Sequence, residues 1–370
     1  MHIPRLSLLL SVFALLPFFA ACKEEAKEKT PDFLSIGEFS VNRKAAYTEV
    51  RDGAGRALAL VPRGAAHPAG FSPTMVVEVP VRRVVAYRPF ETGILKALGE
   101  EDAIVGVTYP RDKWAVDYMR KGFDEGRIAF VGDFSRVDYE RIKAQHPDLV
   151  LTWDPSIVPM MDSLGIPVVV TSTPVATCLN THIRFVEFIA PFFGKEAEAK
   201  VYYRKVRTAL ESIRARTKGM PQPKAMWGDI FEKRVLVEPG NAWVSELIGL
   251  AQSDYLFDDV YGTSCIEIST ERFLYSGKDA DIYFTYRTPD RGATSKAALA
   301  RTNPLLARVR PLGPEGKTYA PLPHYAQSAD RLDEILTEIA AILHPQAYPD
   351  HKLQFFVELP DEDPAPAKDR

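Results

Sequence analysis

Residues 137–153 read V-D-Y-E-R-I-K-A-Q-H-P-D-L-V-L-T-W. The first half has the form of a short helix, with Asp138 near its N-terminus and an exposed Glu140-Arg141 pair. Pro147 and Asp148 then open a run, Leu149-Val150-Leu151-Thr152-Trp153, that is apolar enough for a strand buried on both faces. A related phrase returns as I-S-T-E-R-F at 268–273 and D-A-D-I-Y-F-T-Y at 279–286. In each copy a polar residue starts a helix and Glu-Arg follows. An Asp then leads a buried strand that ends in Thr plus an aromatic. Two copies of one unit predict two lobes of similar build.

Strand and helix alternate on either side of the first copy. Val84 to Tyr87, 104–107, 128–131, the strand 149–153 and 168–170 are strand-like, with helices over 91–98 and 157–164 closed by Gly99 and Gly165. That spacing predicts a parallel sheet covered on both sides, the N-lobe, over 81–180. Before it, 33–80 carries β-like runs at 33–41, 45–51, 57–62 and 75–80, separated by turn signals such as Asp52-Gly53. These predict a small antiparallel addition.

From Thr181 the strand signal stops for almost forty residues, with one break near Phe193-Gly194-Lys195. The segment 181–219 reads as a bridge. Its second part, 195–217, is a helix of roughly 30 Å at 1.5 Å per residue, long enough to join two small domains. The alternation resumes in a C-lobe over 220–345. Its strands fall at 224–227, 235–237, 282–286 and 318–320, and its helices at 243–250, 271–276, 293–309 and 329–343. Residues 346–370 form a tail whose end, from Pro360, has the composition of disorder.

The chain has 370 residues, a net charge of −3 and 26% charged residues, so no basic excess points to nucleic acid. At the N-terminus, His2 and Arg5 precede an apolar run from Leu6 to Phe19, then Ala20-Ala21-Cys22 and charged residues. This arrangement resembles a bacterial lipoprotein signal over 1–22, which implies lipidation of Cys22 and an exported, lipid-anchored protein. The run of about 16 apolar residues is short for a membrane span. Residues 23–32 read as a flexible stalk. Cys178 and Cys265 are expected to be buried free thiols rather than a disulfide that would bind the two lobes together.

Leu98-Gly99, Ile104-Val105-Gly106-Val107, Glu140-Arg141-Ile142, Pro147-Asp148-Leu149-Val150 and Leu164-Gly165-Ile166-Pro167-Val168 follow, in order, a family signature. Glu271, the strand 281–286 and Ile342-Leu343-His344-Pro345 agree with it. Over roughly 82–345 the chain resembles the substrate-binding proteins of bacterial ABC importers for iron complexes, haem and vitamin B12. The resemblance implies two α/β lobes joined by one long helix, a monomer, and a metal chelate held between the lobes. It also implies an ABC permease homodimer in the cytoplasmic membrane as partner, docked through one acid per lobe, here Glu140 and Glu271. Two carboxylates at a fixed separation would set orientation and on-rate more than affinity.

Ligands of parallel α/β sheets meet the loops beyond the carboxyl ends of the strands. Those loops carry Arg88, Tyr109, Arg111, Trp114, Trp153, Trp227, Trp243, Tyr286, Arg287, His324 and Tyr325, including all four tryptophans. Aromatic walls with scattered cations suit a large flat chelate with some negative charge, a ferric siderophore first, haem or a corrinoid as alternatives. His182 and His324, and equally Tyr109, Tyr286 and Tyr325, are candidates to touch a chelated or haem iron. A bare metal ion would need several converging His and carboxylates, and the chain has seven His. No G-x-S-x-G, phosphate-binding glycine loop or H-E-x-x-H is present. A hydrolase using Glu140 and Glu271 as a carboxylate pair, or an adhesion lipoprotein without a small ligand, are the readings of other classes.

Overall fold

A computed structural model describes residues 31–363. The signal, Cys22, most of the stalk and residues 364–370 lie outside the described residues. The first five strands, β1 (Phe33–Ile36), β2 (Phe39–Arg43), β3 (Thr48–Arg51), β4 (Ala57–Pro62) and β5 (Val76–Val79), form one sheet in sequential order. The sheet is antiparallel up to β4, as expected. The β4–β5 pair is parallel, because residues 63–75 carry the chain back before β5 begins.

The first parallel sheet has the order β12-β11-β6-β7-β8. It is built from β6 (Val84–Ala86), α1 (Pro89–Ala97), β7 (Ile104–Val107), α2 (Asp117–Asp124) and β8 (Ala129–Phe130). A short antiparallel pair follows, β9 (Gly132–Asp133) with β10 (Arg136–Val137). Then come α3 (Tyr139–Ala144), β11 (Leu149–Thr152), α4 (Val158–Leu164) and β12 (Val168–Val170). Every residue of β6, β7, β11 and β12 is buried, the signature of strands covered on both faces.

The small N-terminal sheet is riveted to the edge of this one. The Asp52 carboxylate is fully buried and accepts the Val170 N–H at 3.1 Å, while the Gly53 N–H donates to the Val170 carbonyl at 2.9 Å. Arg56 donates to the Val168 carbonyl at 2.7 Å and pairs with Asp52 at the same distance. The turn thus satisfies backbone groups on strand β12 that a bare sheet edge would leave unpaired. A side chain at position 53 would lie 1.9 Å from the Ser172 carbonyl oxygen, so only glycine permits the approach.

Two helices then cross the molecule, α5 (Leu179–Phe193) and α6 (Glu196–Thr217), broken at Gly194 in the left-handed conformation. The second half of the chain folds as β13 (Lys224–Phe231), β14 (Arg234–Val237), α7 (Trp243–Leu250), β15 (Asp254–Tyr255), β16 (Ile266–Ile268), α8 (Thr270–Gly277), β17 (Ile282–Phe284), α9 (Lys296–Thr302), β18 (Lys317–Pro321), α10 (Leu332–Leu343) and β19 (Phe356–Glu358). Strands β15, β13, β17 and β18 pair in parallel, whereas β14, β16 and β19 are antiparallel additions. The architecture is therefore two α/β lobes joined by a long helix, with an N-terminal β addition.

The C-terminal segment departs from expectation. Residues 356–358 complete the second sheet, and Pro360 and Asp361 accept the Lys296 and Ala297 backbone N–H groups. Asp361 and Asp363 take up Lys296, Ser295 and Thr294. The composition from Pro360 suggested disorder, yet residues 360–363 are held in place. The N-terminus of α9 supplies their partners.

Candidate ligand-binding cleft

Loops from the carboxyl ends of both sheets face one another and enclose two cavities, of about 360 Å³ and 690 Å³. Glu238, Trp243, Tyr325 and Ala326 line both and form the wall between them. The smaller, inner cavity reaches down to the start of α5. The larger, outer one lies between residues 109–115 of the first lobe and 285–291 and 321–327 of the second.

Arg88 enters the inner cavity as the N-cap of α1. Its N–H and Nε both bond the buried Glu91 carboxylate, at 2.6 and 3.1 Å, and Thr171 Oγ1 donates to the same carboxylate at 2.6 Å. The guanidinium is thereby oriented by a buried acid while its own side chain keeps 38% exposure. Trp243, the first residue of α7, stacks flat on the His182 ring with centroids 4.5 Å apart and 5° between planes. Phe90 covers the other face at 4.9 Å. Burial, and secondarily the nearby Arg88 charge, push the imidazole down to about 3 from its ordinary 6.5, so it is neutral at physiological pH. Three elements, α1, α5 and α7, meet in that stack.

In the outer cavity, Tyr109 packs edge-on against Trp114, whose Nε1–H donates to the Tyr109 carbonyl at 3.1 Å. Trp227 stacks on Phe284 at 4.6 Å and presents little more than an edge. It sits within β13 rather than at its end. Tyr325 lies over Phe356 at 4.9 Å. Across this cavity Gln327 joins the lobes: its amide oxygen accepts the Ala115 N–H at 2.8 Å and its amide nitrogen donates to the Lys113 carbonyl at 2.9 Å.

Glu238 was not singled out in the sequence, and it is the polar centre of the cleft. Its carboxylate accepts from the Tyr286 hydroxyl at 3.0 Å and the Cys265 thiol at 3.6 Å, while its backbone carbonyl accepts from Tyr255 at 2.7 Å. Burial raises the Glu238 carboxyl above the usual range, against the two donors that lower it. Burial, with Glu238 beside it, pushes the Cys265 thiol up to about 11, so it is a thiol at neutral pH. The available signal was an acid between a strand end and a Pro-Gly turn, Val237-Glu238-Pro239-Gly240. Cys178 and Cys265 are both free, but neither is buried as expected: Cys178 is half-buried, and Cys265 is exposed as a residue while its sulfur turns in toward Glu238, because residues 262–265 are a loop over the inner cavity.

Four expected ligand residues fall elsewhere. Arg111 is exposed and doubly bonded to Asp124, and it lines neither cavity. Arg287 is turned inward: it pairs with buried Asp229 at 3.2 Å, donates to the Ile230 carbonyl, and lies 4.5 Å over the Phe231 ring. Trp153 packs beside Phe134 and on the core of its own lobe. His324 bonds the Gln354 carbonyl at 2.8 Å outside both cavities. In each case a nearer partner satisfied a side chain that the strand-end position alone would have aimed at the ligand. Glu140 and Glu271 are exposed in the first turns of α3 and α8 and line neither cleft cavity. No group of three or more His, Cys, Asp or Glu able to hold a metal ion occurs among the described residues. None of the described helices is long and apolar enough to cross a membrane.

A sequence profile described as periplasmic binding protein matches residues 84–312. An uncharacterized lipoprotein of Methanocaldococcus jannaschii is 26% identical over 293 residues, 76% of this chain and 70% of the relative. A vitamin B12-binding protein of Vibrio parahaemolyticus is 23% identical over 225 residues, 60% of this chain and 76% of the relative. A periplasmic heme binding protein from Pseudomonas aeruginosa shares the fold with a TM-score of 0.57 at 19% identity, covering 75% of this chain and 98% of its own.

Proposed function

From the premise that this chain belongs to the periplasmic binding protein family, we propose that it captures a flat metal chelate of the haem or corrinoid kind for an ABC permease. The observation that carries the ligand class is the cleft wall itself. Trp243, Tyr325, Tyr109 and Trp227 line it, while two cations expected to meet a strongly anionic ligand, Arg111 and Arg287, are committed to Asp124 and Asp229. Aromatic faces and edges suit a large π-surface, and the half-buried Glu238 carboxylate disfavours a dense anionic charge beside it. The vitamin B12- and heme-binding relatives agree with this class. A ferric siderophore is the second reading, favoured by Lys113, Arg120 and Arg291 around the outer cavity.

Capture is followed by delivery. Glu140 and Glu271, one exposed acid per lobe at equivalent positions of the repeated unit, dock the loaded protein on a permease homodimer. The protein works as a monomer outside the cytoplasmic membrane, tethered through a lipid on Cys22, and catalyses no reaction. Titration with cyanocobalamin, haemin and a ferric tris-catecholate, followed by tryptophan fluorescence, tests the ligand class. Saturable binding of a macrocycle in preference to the catecholate is expected, and the reverse order overturns it. Charge reversal at both acids, Glu140→Lys with Glu271→Lys, is expected to abolish uptake while leaving ligand affinity within about twofold, since rim charges act on docking rate. Lost ligand binding, or retained uptake, removes the docking role.

A further inference from the structure

The inner cavity is as apolar as the outer one, but different residues make its floor. Its floor is apolar, made by Phe39, Phe185, Leu332 and Ile335, whereas its rim carries Arg88 and Glu238. At about 360 Å³ it is too small to admit a tetrapyrrole ring, yet it shares the Glu238–Trp243–Tyr325 wall with the larger outer cavity. Phe39 comes from β2 of the N-terminal sheet, outside the residues matched by the family profile. Its ring lies 5.2 Å from Phe185 and 4.7 Å from Phe188, and the Asp52 turn holds the sheet against β12. The addition is therefore structurally committed to shaping this chamber.

We infer that the inner cavity is a second subsite, which takes an apolar, aromatic side arm of the chelate while the macrocycle fills the outer cavity, and that Phe39 sets its depth. The inference rests on the proposed chelate function. An apolar floor rewards burial of a flat arm, and Glu238 at the rim accepts a hydrogen bond from a donor at the arm's polar end.

The probes are cyanocobalamin, which carries a benzimidazole arm, dicyanocobinamide, which has the same ring without it, and haemin, which has none. The full chain should bind cyanocobalamin about tenfold or more tighter than dicyanocobinamide, the scale on which a filled apolar pocket discriminates. Ala176→Trp, which fills the chamber from a surface loop, should erase that preference and leave dicyanocobinamide binding unchanged. Phe39→Leu should weaken cyanocobalamin alone by roughly threefold through lost aromatic contact. Phe188→Leu, which touches Phe39 but does not line the cavity, should lower the melting temperature without altering the ratio. Equal binding of the two corrinoids, a preference that survives Ala176→Trp, or binding of haemin alone overturns the subsite. If none of the three binds, the macrocycle reading itself fails.

Discussion

The two copies of the repeated unit can be laid side by side. In the first, the Asp138 carboxylate caps α3 by accepting the Arg141 N–H at 3.0 Å; in the second, the Ser269 hydroxyl caps α8 by accepting the Arg272 N–H at 3.1 Å. Asp148 ahead of β11 accepts the N–H groups of Arg82 and Arg83 on the approach to β6, at 2.7 and 3.0 Å. Asp281 ahead of β17 accepts the N–H of Lys224 at the start of β13, at 2.7 Å. At the end of β11 and just past the end of β17 stands a threonine whose Oγ accepts the N–H two residues on, Asp154 at 3.0 Å and Arg287 at 3.1 Å. The shared phrase is thus a scaffold device: it caps a helix, aligns the neighbouring parallel strand and stops its own.

The chemistry at the strand ends is not repeated. Trp153 stays on the core of its lobe, with Ser172 donating to its carbonyl, whereas Tyr286 reaches across to Glu238. The second lobe has an antiparallel β14 beside β13, and its exit places Glu238 within reach. The first lobe has no such strand. The antiparallel β14 and β16 beside β13 are what bring one copy of the unit into the cleft wall.

The comparison can be broken by substitution. The largest expected contrast is at the threonines. Thr285 also donates to buried Asp229 at 2.6 Å, so Thr285→Val should cost about 2–3 kcal/mol and Thr152→Val about 1 kcal/mol in urea unfolding, since only the former strips a buried carboxylate of a donor. Asp148 also receives Arg63 at 2.7 Å, and Asp281 receives Arg310. Asp148→Ala should therefore cost about 2 kcal/mol against about 1 kcal/mol for Asp281→Ala, because it holds two strand N–H groups rather than one. Equal losses at both pairs would mean that the units are interchangeable scaffolds. For ligand affinity the order follows the cleft: Tyr286→Phe should weaken chelate binding by roughly fivefold and Trp153→Phe by less than about twofold, measured by fluorescence titration.

A separate, pH-dependent effect belongs to the stack that joins the lobes. The unfolded chain protonates His182 near 6.5, but the folded chain does so only near 3. Stability should fall as pH drops through that interval and level off below it. His182→Phe, which keeps a stacked ring, should flatten the slope of melting temperature against pH between 6.5 and 4; an unchanged slope would assign the loss to other groups.

Capped helices, doubly buried strands and the long bridging segment were legible as sequence because each depends on residues a few positions apart. Periodicity, a capping side chain and a turn glycine act within one or two turns of chain. The strand-end rule also picked out Trp243, Tyr286 and Tyr325, which line the larger cavity. Which strand-end residues face the ligand was not legible, because that depends on partners far away in sequence. Arg111 was claimed by Asp124, Arg287 by Asp229, and His324 by Gln354. Glu238 gained its role from Tyr286 and Cys265, and Phe39 from a sheet riveted to β12 by Asp52. The sequence by itself determined the repeated scaffold, since local hydrogen bonds and burial patterns are written into short windows. Only the tertiary structure decided the make-up of the cleft wall, since a charge or a ring is free for a ligand only when no closer partner has satisfied it.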